Sequence, residues 1–505
     1  MAAFPLSKKD SLSDLIQLVK LVTETHPDPF LHKGSRIDFF RSVSGILDQA
    51  PGMVDKETFH ILAMKILALV GDGHTSMDPL QESSEKIWLK LEPVGGSLIV
   101  LGVYLVEQEK LIGSALKAIN GIPMEIIGER IKTIRSANGE NNNLMHIMEF
   151  LNHKHLLGYI LNQSMKDNGS VFLHLQNQGG ESEVEFQFSE KQPGELIIRN
   201  GIELPQSETS DLSWAILEGN TGYLRIDSMR KYRENFESQL NYGASEKFLR
   251  ELMERSGIPT SGTMEETIGK IPSASQIITE FLAKMEEIRG KYIIVDLRDN
   301  TGGNSYLAYI LLYFLFGKRI LTVDEGFDVE RFSELYAEQF ETGNFDSFIG
   351  GYNFTDENRW REGHRGITED EFEKIVERSP TFSEYSKRRT FHTDWEVYVL
   401  CSAKTFSAGF DLLSFLGKCG AIIIGIRPSQ AANAFTSTIR FELKNSGLKG
   451  WISSKLMVKY PHEPLFYEII PDHEIGIEKY ANQNYSTDTV VTEALNLILR
   501  KNRNE

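Results

Sequence analysis

Only two cysteines, Cys401 and Cys419, occur in 505 residues. That is too few for a disulfide framework, and both lie in apolar stretches that suit buried thiols. Long apolar runs are missing as well. The longest covers residues 306–316, short of the ~20 residues a membrane-spanning helix requires. Basic residues are in deficit, 54 against 71 acidic ones for a formal net charge of −17. This balance argues against a nucleic-acid partner or an anionic lipid surface. No His, Cys or carboxylate spacing matches a metal site, so neither a metal nor a cofactor is expected. Internal repeats, heptads and low-complexity tracts are absent. Residues 1–14 lack the apolar core of a secretory signal, so the expected location is cytoplasmic, or exported if the chain is a mature form.

What is present describes a globular protein, 41% hydrophobic and 25% charged. The length predicts two or three domains. The chain is organised around residues 396–425, which read as strand, tight turn, helix, strand. Val397 to Leu400 suit a buried strand, residues 404–409 form the turn, and residues 410–416 carry helical apolar spacing. A serine at this turn, Ser407, is held on a rigid scaffold beside outward-facing N–H groups. It reads either as a nucleophile or as a helix N-cap.

Upstream, amphipathic helices are predicted over 11–25, 37–48 and 56–70. The third leads into Gly71-Asp72-Gly73-His74-Thr75, a turn presenting one histidine, which is either functional or a polar surface residue. Residues 87–188 read as short strands and turns, with a helix from Glu125. Residues 189–212 look like a polar linker and 231–272 like an exposed excursion. Residues 292–297 form a continuous apolar run of the kind a parallel strand covered on both faces requires. That run ends in Arg298-Asp299-Asn300-Thr301-Gly302-Gly303-Asn304. Residues 325–393, with Phe332, Tyr336, Phe340, Phe345 and Trp360, show no clear period and read as a long insertion near the site. A hairpin over 435–443 and 450–459 and a last helix over 487–500 complete the chain.

Three separated segments match one family in order: Gly71 to Thr75, Asp296 to Gly303, and Thr405 to Gly409 followed by Ala421 to Gly425. Together they resemble the carboxyl-terminal processing (tail-specific) serine protease family, in its histidine-containing, tricorn-core-like branch. Residues 113–123 are similar to the "G-x-x-L-x-x-I-N-G-x-P" stretch of PDZ domains, which bind extended peptides by strand addition. The resemblance implies an α/β (α+β) protein with three parts. These are an N-terminal helical region (1–80), a PDZ-like domain (87–190) and a crotonase-like ββα core (212–505) with insertions at 231–272 and 325–393. It implies a serine endopeptidase acting on polypeptide, unfolded or C-terminal segments included, with Ser407 as nucleophile and His74 as general base. The oxyanion donors would be the backbone N–H groups of Gly303 (or Gly302) and Ala408.

A Ser–Lys dyad is disfavoured, because no lysine stands between Lys418 and Lys444, where that branch places its base. Two positions depart from the histidine branch. Gly73 replaces a serine, and the count back from Pro471 for the relay acid lands on Leu465, leaving Glu468 or Glu463, with Glu468 preferred. Two other functions stay open: a catalytically inactive relative binding a peptide or hydrophobic ligand, and an acyl-thioester enzyme that does not use Ser407. Lys404 is the alternative base.

Overall fold

The computed structural model describes residues 4–80, 85–163, 169–199, 201–324, 326–339, 360–364, 367–388 and 394–504. Phe340 and Phe345 of the insertion lie outside the described residues. Helix and strand are mixed throughout, an α/β architecture.

The centre is a six-stranded sheet. Its strands, in spatial order, are Leu212–Leu217, Thr221–Ile226, Tyr292–Asp296, Glu396–Cys401, Ile422–Gly425 and His473–Glu474. The first pair is antiparallel and the remaining pairings are parallel. Alternate residues of the inner strands feed two cores, as doubly covered strands require. Ile293, Val295, Val397 and Val399 pack under the helices Ala274–Glu287, Tyr306–Phe316 and Ala408–Lys418. Ile294, Tyr398, Leu400 and Ile424 pack instead against Val490, Val491, Ala494 and Ile498 of the last helix, Thr489–Asn504. The Pro-Asp pair before that helix holds the sheet's edge: Asp472 Oδ2 accepts the Ile423 N–H at 2.8 Å, fixing the last position.

The helices Lys8–Thr25, Arg36–Leu47 and Lys56–Ala68 form within a few residues of their predicted places. Each carries an N-cap, Ser7, Ser35 or Asp55, accepting the N–H three residues on. These helices share one continuous core with the 87–190 unit, and Phe441, Leu443 and Ile452 of the C-terminal hairpin join it. The 87–190 unit is built on an antiparallel sheet but holds three helices, Met124–Lys132, Glu140–Phe150 and Lys154–Leu161. Only the first was legible as a helix.

Two further segments are more ordered than their composition suggests. Residues 231–272 form three short helices around a small core of their own, including Phe236, Leu249, Met253 and Ile268. The insertion opens with strand Phe327–Arg331, an integral member of a second antiparallel sheet, paired to Lys449–Val458. The linker segment adds strand Ile197–Ile198 to the sheet of the 87–190 unit. Cys401 and Cys419 are free and buried, and no helix among the described residues is long and apolar enough to cross a membrane.

Candidate active site

The turn after strand Glu396–Cys401 is latched to the neighbouring loop by its own polar side chains. Ser402 Oγ donates to the Arg298 carbonyl (2.5 Å) and Thr405 Oγ1 to the Leu297 carbonyl (2.8 Å). The Phe406 N–H reaches the Asn300 carbonyl (3.0 Å). These bonds force Ser407 into a strained conformation, φ 54° and ψ −127°, a region a residue with a Cβ enters at a cost of ~1–3 kcal/mol. The Ser407 N–H is held by Gln430 Oε1 at 2.5 Å. The side chain of Ser407 makes no capping hydrogen bond, so the N-cap reading does not hold. Gln430 stands 23 positions after the serine (430 − 407), about where a dyad lysine would lie, and it binds the backbone rather than acting as a base.

Asn300 ties the surrounding pieces together. It is fully buried; its Oδ1 accepts the Gly302 N–H (2.9 Å) and its Nδ2 donates to the Ile226 carbonyl (3.1 Å). The Gly302 N–H is thereby committed, which removes it as an oxyanion donor. Gly303 and Ala408 remain. The backbone around Gly303 is pinned to Met229, whose N–H donates to the Gly302 carbonyl (3.0 Å) and whose carbonyl accepts the Asn304 N–H (2.8 Å). Gly302, at φ +99°, lies so close to the turn that a Cβ there would come within 2.7 Å of Ser407 Cβ.

His74 arrives from the other end of the chain. Strand Ser76–Met77, which begins two residues after it, pairs with Trp451 and Gly450. Asp72, two residues before it, accepts hydrogen bonds from Ser453 Oγ and Thr75 Oγ1, both at 2.6 Å. The His74 ring stacks on Phe406, the residue before Ser407, with centroids 4.5 Å apart and planes 28° apart. Neither ring nitrogen makes a well-formed hydrogen bond among the described residues. Burial lowers the histidine's pKa below its usual value, and Arg135 adds to the lowering. The carboxylates of Asp72 and Asp411 and the backbone of Phe435 oppose it.

The carboxylate beside His74 is Asp72, not Glu468. Asp72 Oδ1 lies 3.9 Å from His74 Nδ1 and accepts the His74 N–H at 2.9 Å. Its Oδ2 is 3.6 Å from His26 Nε2. His26 Nδ1 accepts the Asp28 N–H, which leaves its Nε2 facing the carboxylate. Burial would raise the Asp72 pKa, but His26, His74 and Ser453 together bring it to about 2. Glu468 points elsewhere, toward Arg427 (3.8 Å) and the backbone of Gly139. The family motif puts the acid near the C-terminus. The signal for Asp72, a carboxylate two residues before the histidine in one turn, was present in Gly71-Asp72-Gly73-His74.

Lys404 is unsuited to the role of base. Its ammonium pairs with Glu92 (3.0 Å) and Asp299 (3.3 Å), whose charges raise its pKa and keep it protonated.

Comparisons with known proteins identify the family. The profile of peptidase family S41 matches residues 220–474, half of the chain. The solved structure of mature CPAF complexed with lactacystin is 12% identical, with a TM-score of 0.60, covering 98% of this chain and 99% of that one. Mature CPAF alone gives 12% identity, a TM-score of 0.58 and 95% coverage of both chains. The photosystem II D1 C-terminal processing protease is also similar, at 12% identity and a TM-score of 0.41, covering 93% of this chain and 94% of that one. No curated protein sequence matches the chain. The chain belongs to peptidase family S41 and is a serine peptidase.

Proposed function

We propose that the protein is an endopeptidase working through Ser407 and His74, with Asp72 orienting the histidine. The observation that carries this reading is the strained, uncapped Ser407 beside a buried His74 stacked on Phe406, its ring nitrogens free of a well-formed hydrogen bond. A serine hydroxyl needs an adjacent base to become a nucleophile. His74 takes the Ser407 proton as Oγ attacks the peptide carbonyl carbon, and the Gly303 and Ala408 N–H groups hold the resulting oxyanion. His74 then passes the proton to the leaving amine, and an acyl-enzyme forms. A water deprotonated by His74 cleaves that ester and releases Ser407. The substrate class is polypeptide. The 87–190 unit supports an extended, unfolded or C-terminal segment, because its edge strand Gly180–Gln187 is paired on one side and largely exposed on the other.

Labelling with a small fluorophosphonate, read by intact mass, tests the assignment. Wild type is expected to gain one adduct, and Ser407→Ala and His74→Ala to gain none at matched times. A folded wild type that never labels would overturn it, as would a His74→Ala variant that labels at the wild-type rate.

A further inference from the structure

A cavity of about 340 Å³ opens beside the turn that carries Ser407. Its wall toward the nucleophile is made by Gly73 and Phe406, and its far wall by Leu89, Leu91, Met145 and Met148 of the 87–190 unit. The volume lies at the lower end for ligand pockets, enough for one large side chain and the backbone around it. The apolar part of the lining is mainly aliphatic and thioether, beside polar groups that include Asn142, Thr301 and Ser429. Met145 and Met148, two half-buried methionines of the helix Glu140–Phe150, make an adaptable apolar surface.

Two donors near the cavity have nothing to bind. Arg135 Nε belongs to a residue that lines it, and Asn138 Nδ2 lies against Gly73, about 3 Å from where a Cβ there would sit. Both are buried atoms without a hydrogen-bond partner among the described residues, a state that is costly unless a ligand supplies an acceptor. Asn138 is anchored by its other end, where Oδ1 accepts the Gly73 N–H at 3.0 Å. Arg135 and Glu149 put both signs on the same lining, and the Lys404 ammonium that also reaches it is already paired with Glu92 and Asp299. Unmet donors beside an apolar wall fit a peptide, which supplies one carbonyl acceptor every ~3.3 Å of extended chain.

We infer that this cavity is the main specificity pocket of the peptidase. It takes a neutral apolar side chain of leucine, methionine or phenylalanine size, while Arg135 and Asn138 hold the adjacent substrate carbonyls. The inference rests on the Ser407–His74 reading and adds the substrate preference to it. It also makes the 87–190 unit part of the substrate site rather than a remote accessory.

The test uses the full chain and fluorogenic peptides that differ at one residue flanking the cleaved bond: glycine, leucine, phenylalanine or aspartate. Wild type is expected to favour leucine and phenylalanine over glycine and aspartate by about tenfold or more in kcat/KM at one position. Met145→Trp, which fills the cavity, should erase that preference through KM, the leucine and phenylalanine peptides losing more than the glycine peptide. Met145→Ala, which enlarges it, should shift the preference toward phenylalanine. Labelling of Ser407 by diisopropyl fluorophosphonate should be the same in all three proteins, which shows that the variants are folded and the nucleophile intact. Intact labelling with an unaltered side-chain preference in both variants would overturn the pocket, as would an equal loss for every peptide. A wild type that does not label strikes the Ser407–His74 reading itself, and the pocket assignment falls with it.

Discussion

The chemistry of this protein is set by a few side chains whose partners are unusual. Asp72 accepts from Ser453, Thr75 and the His74 N–H, and lies between the rings of His26 and His74. Asp72→Asn should therefore slow acylation by about 10²-fold, toward the lower end of what acid–base assistance contributes, whereas Glu468→Gln should leave the rate near wild type. Burst kinetics on a peptide ester would separate the two. The acylation rate should also rise with pH through an apparent pKa below the ordinary histidine value of ~6.5. In the proposed mechanism His74 must be neutral to act as the base, and burial favours its neutral form. Activity is thus retained above about pH 6.5 and lost as pH falls through the lowered value; a pH–rate profile of labelling reads it directly. Gly302→Ala places a Cβ against Ser407 at a backbone angle that suits glycine. It should abolish labelling while the far-UV circular dichroism stays native.

Among elements, the strand Lys449–Val458 has the widest role. It carries one partner of the C-terminal hairpin, receives the insertion strand Phe327–Arg331, and takes in strand Ser76–Met77 from the N-terminal region. The last pairing carries the Asp72–His74 turn to the Ser407 turn. The latter was legible in sequence, because a buried strand, a turn rich in small residues and an apolar helix lie side by side in the chain. The Phe327–Arg331 strand was not legible, because its alternating Asp328 and Glu330 are buried by pairing with Lys455, and a buried charge erases the hydrophobic period. Lys404 connects two elements, its ammonium joining the turn to Glu92 of strand Lys90–Val94. Lys404→Met should keep fluorophosphonate labelling, which a catalytic lysine would not allow. It should also lower thermal stability, since Glu92 is left buried without its counter-ion.

At the scale of the whole molecule, several carboxylates sit well below their ordinary pKa. Asp72, Glu149 and Asp299 are each held at about 2, by His26, Arg135 and Lys404 respectively. Asp72 is buried, whereas the Glu149 and Asp299 side chains are 34% and 51% exposed, so solvent screens their share and Asp72 carries most of the effect. The unfolded chain binds protons at these groups at higher pH than the folded one does. Their contribution to stability is complete above the unfolded values, near ~4, and is lost as pH falls through about 2. Urea midpoints should accordingly be flat between about pH 5 and 7 as far as these groups are concerned, and should fall steeply below about pH 4. Asp72→Asn should reduce that slope.

The sequence by itself determined the strand–turn–helix that carries Ser407, the doubly covered strands and the order of the three motifs. Each of these is written in residues that are neighbours along the chain, where periodicity, glycine and proline act directly. The tertiary structure alone decided what holds Asp72 in place, which backbone N–H groups near Ser407 stay unbound, and what walls the cavity beside it. Asp72 meets Ser453 across 381 positions of sequence. Such a contact follows from how strands dock edge to edge, and no local pattern in either segment encodes it.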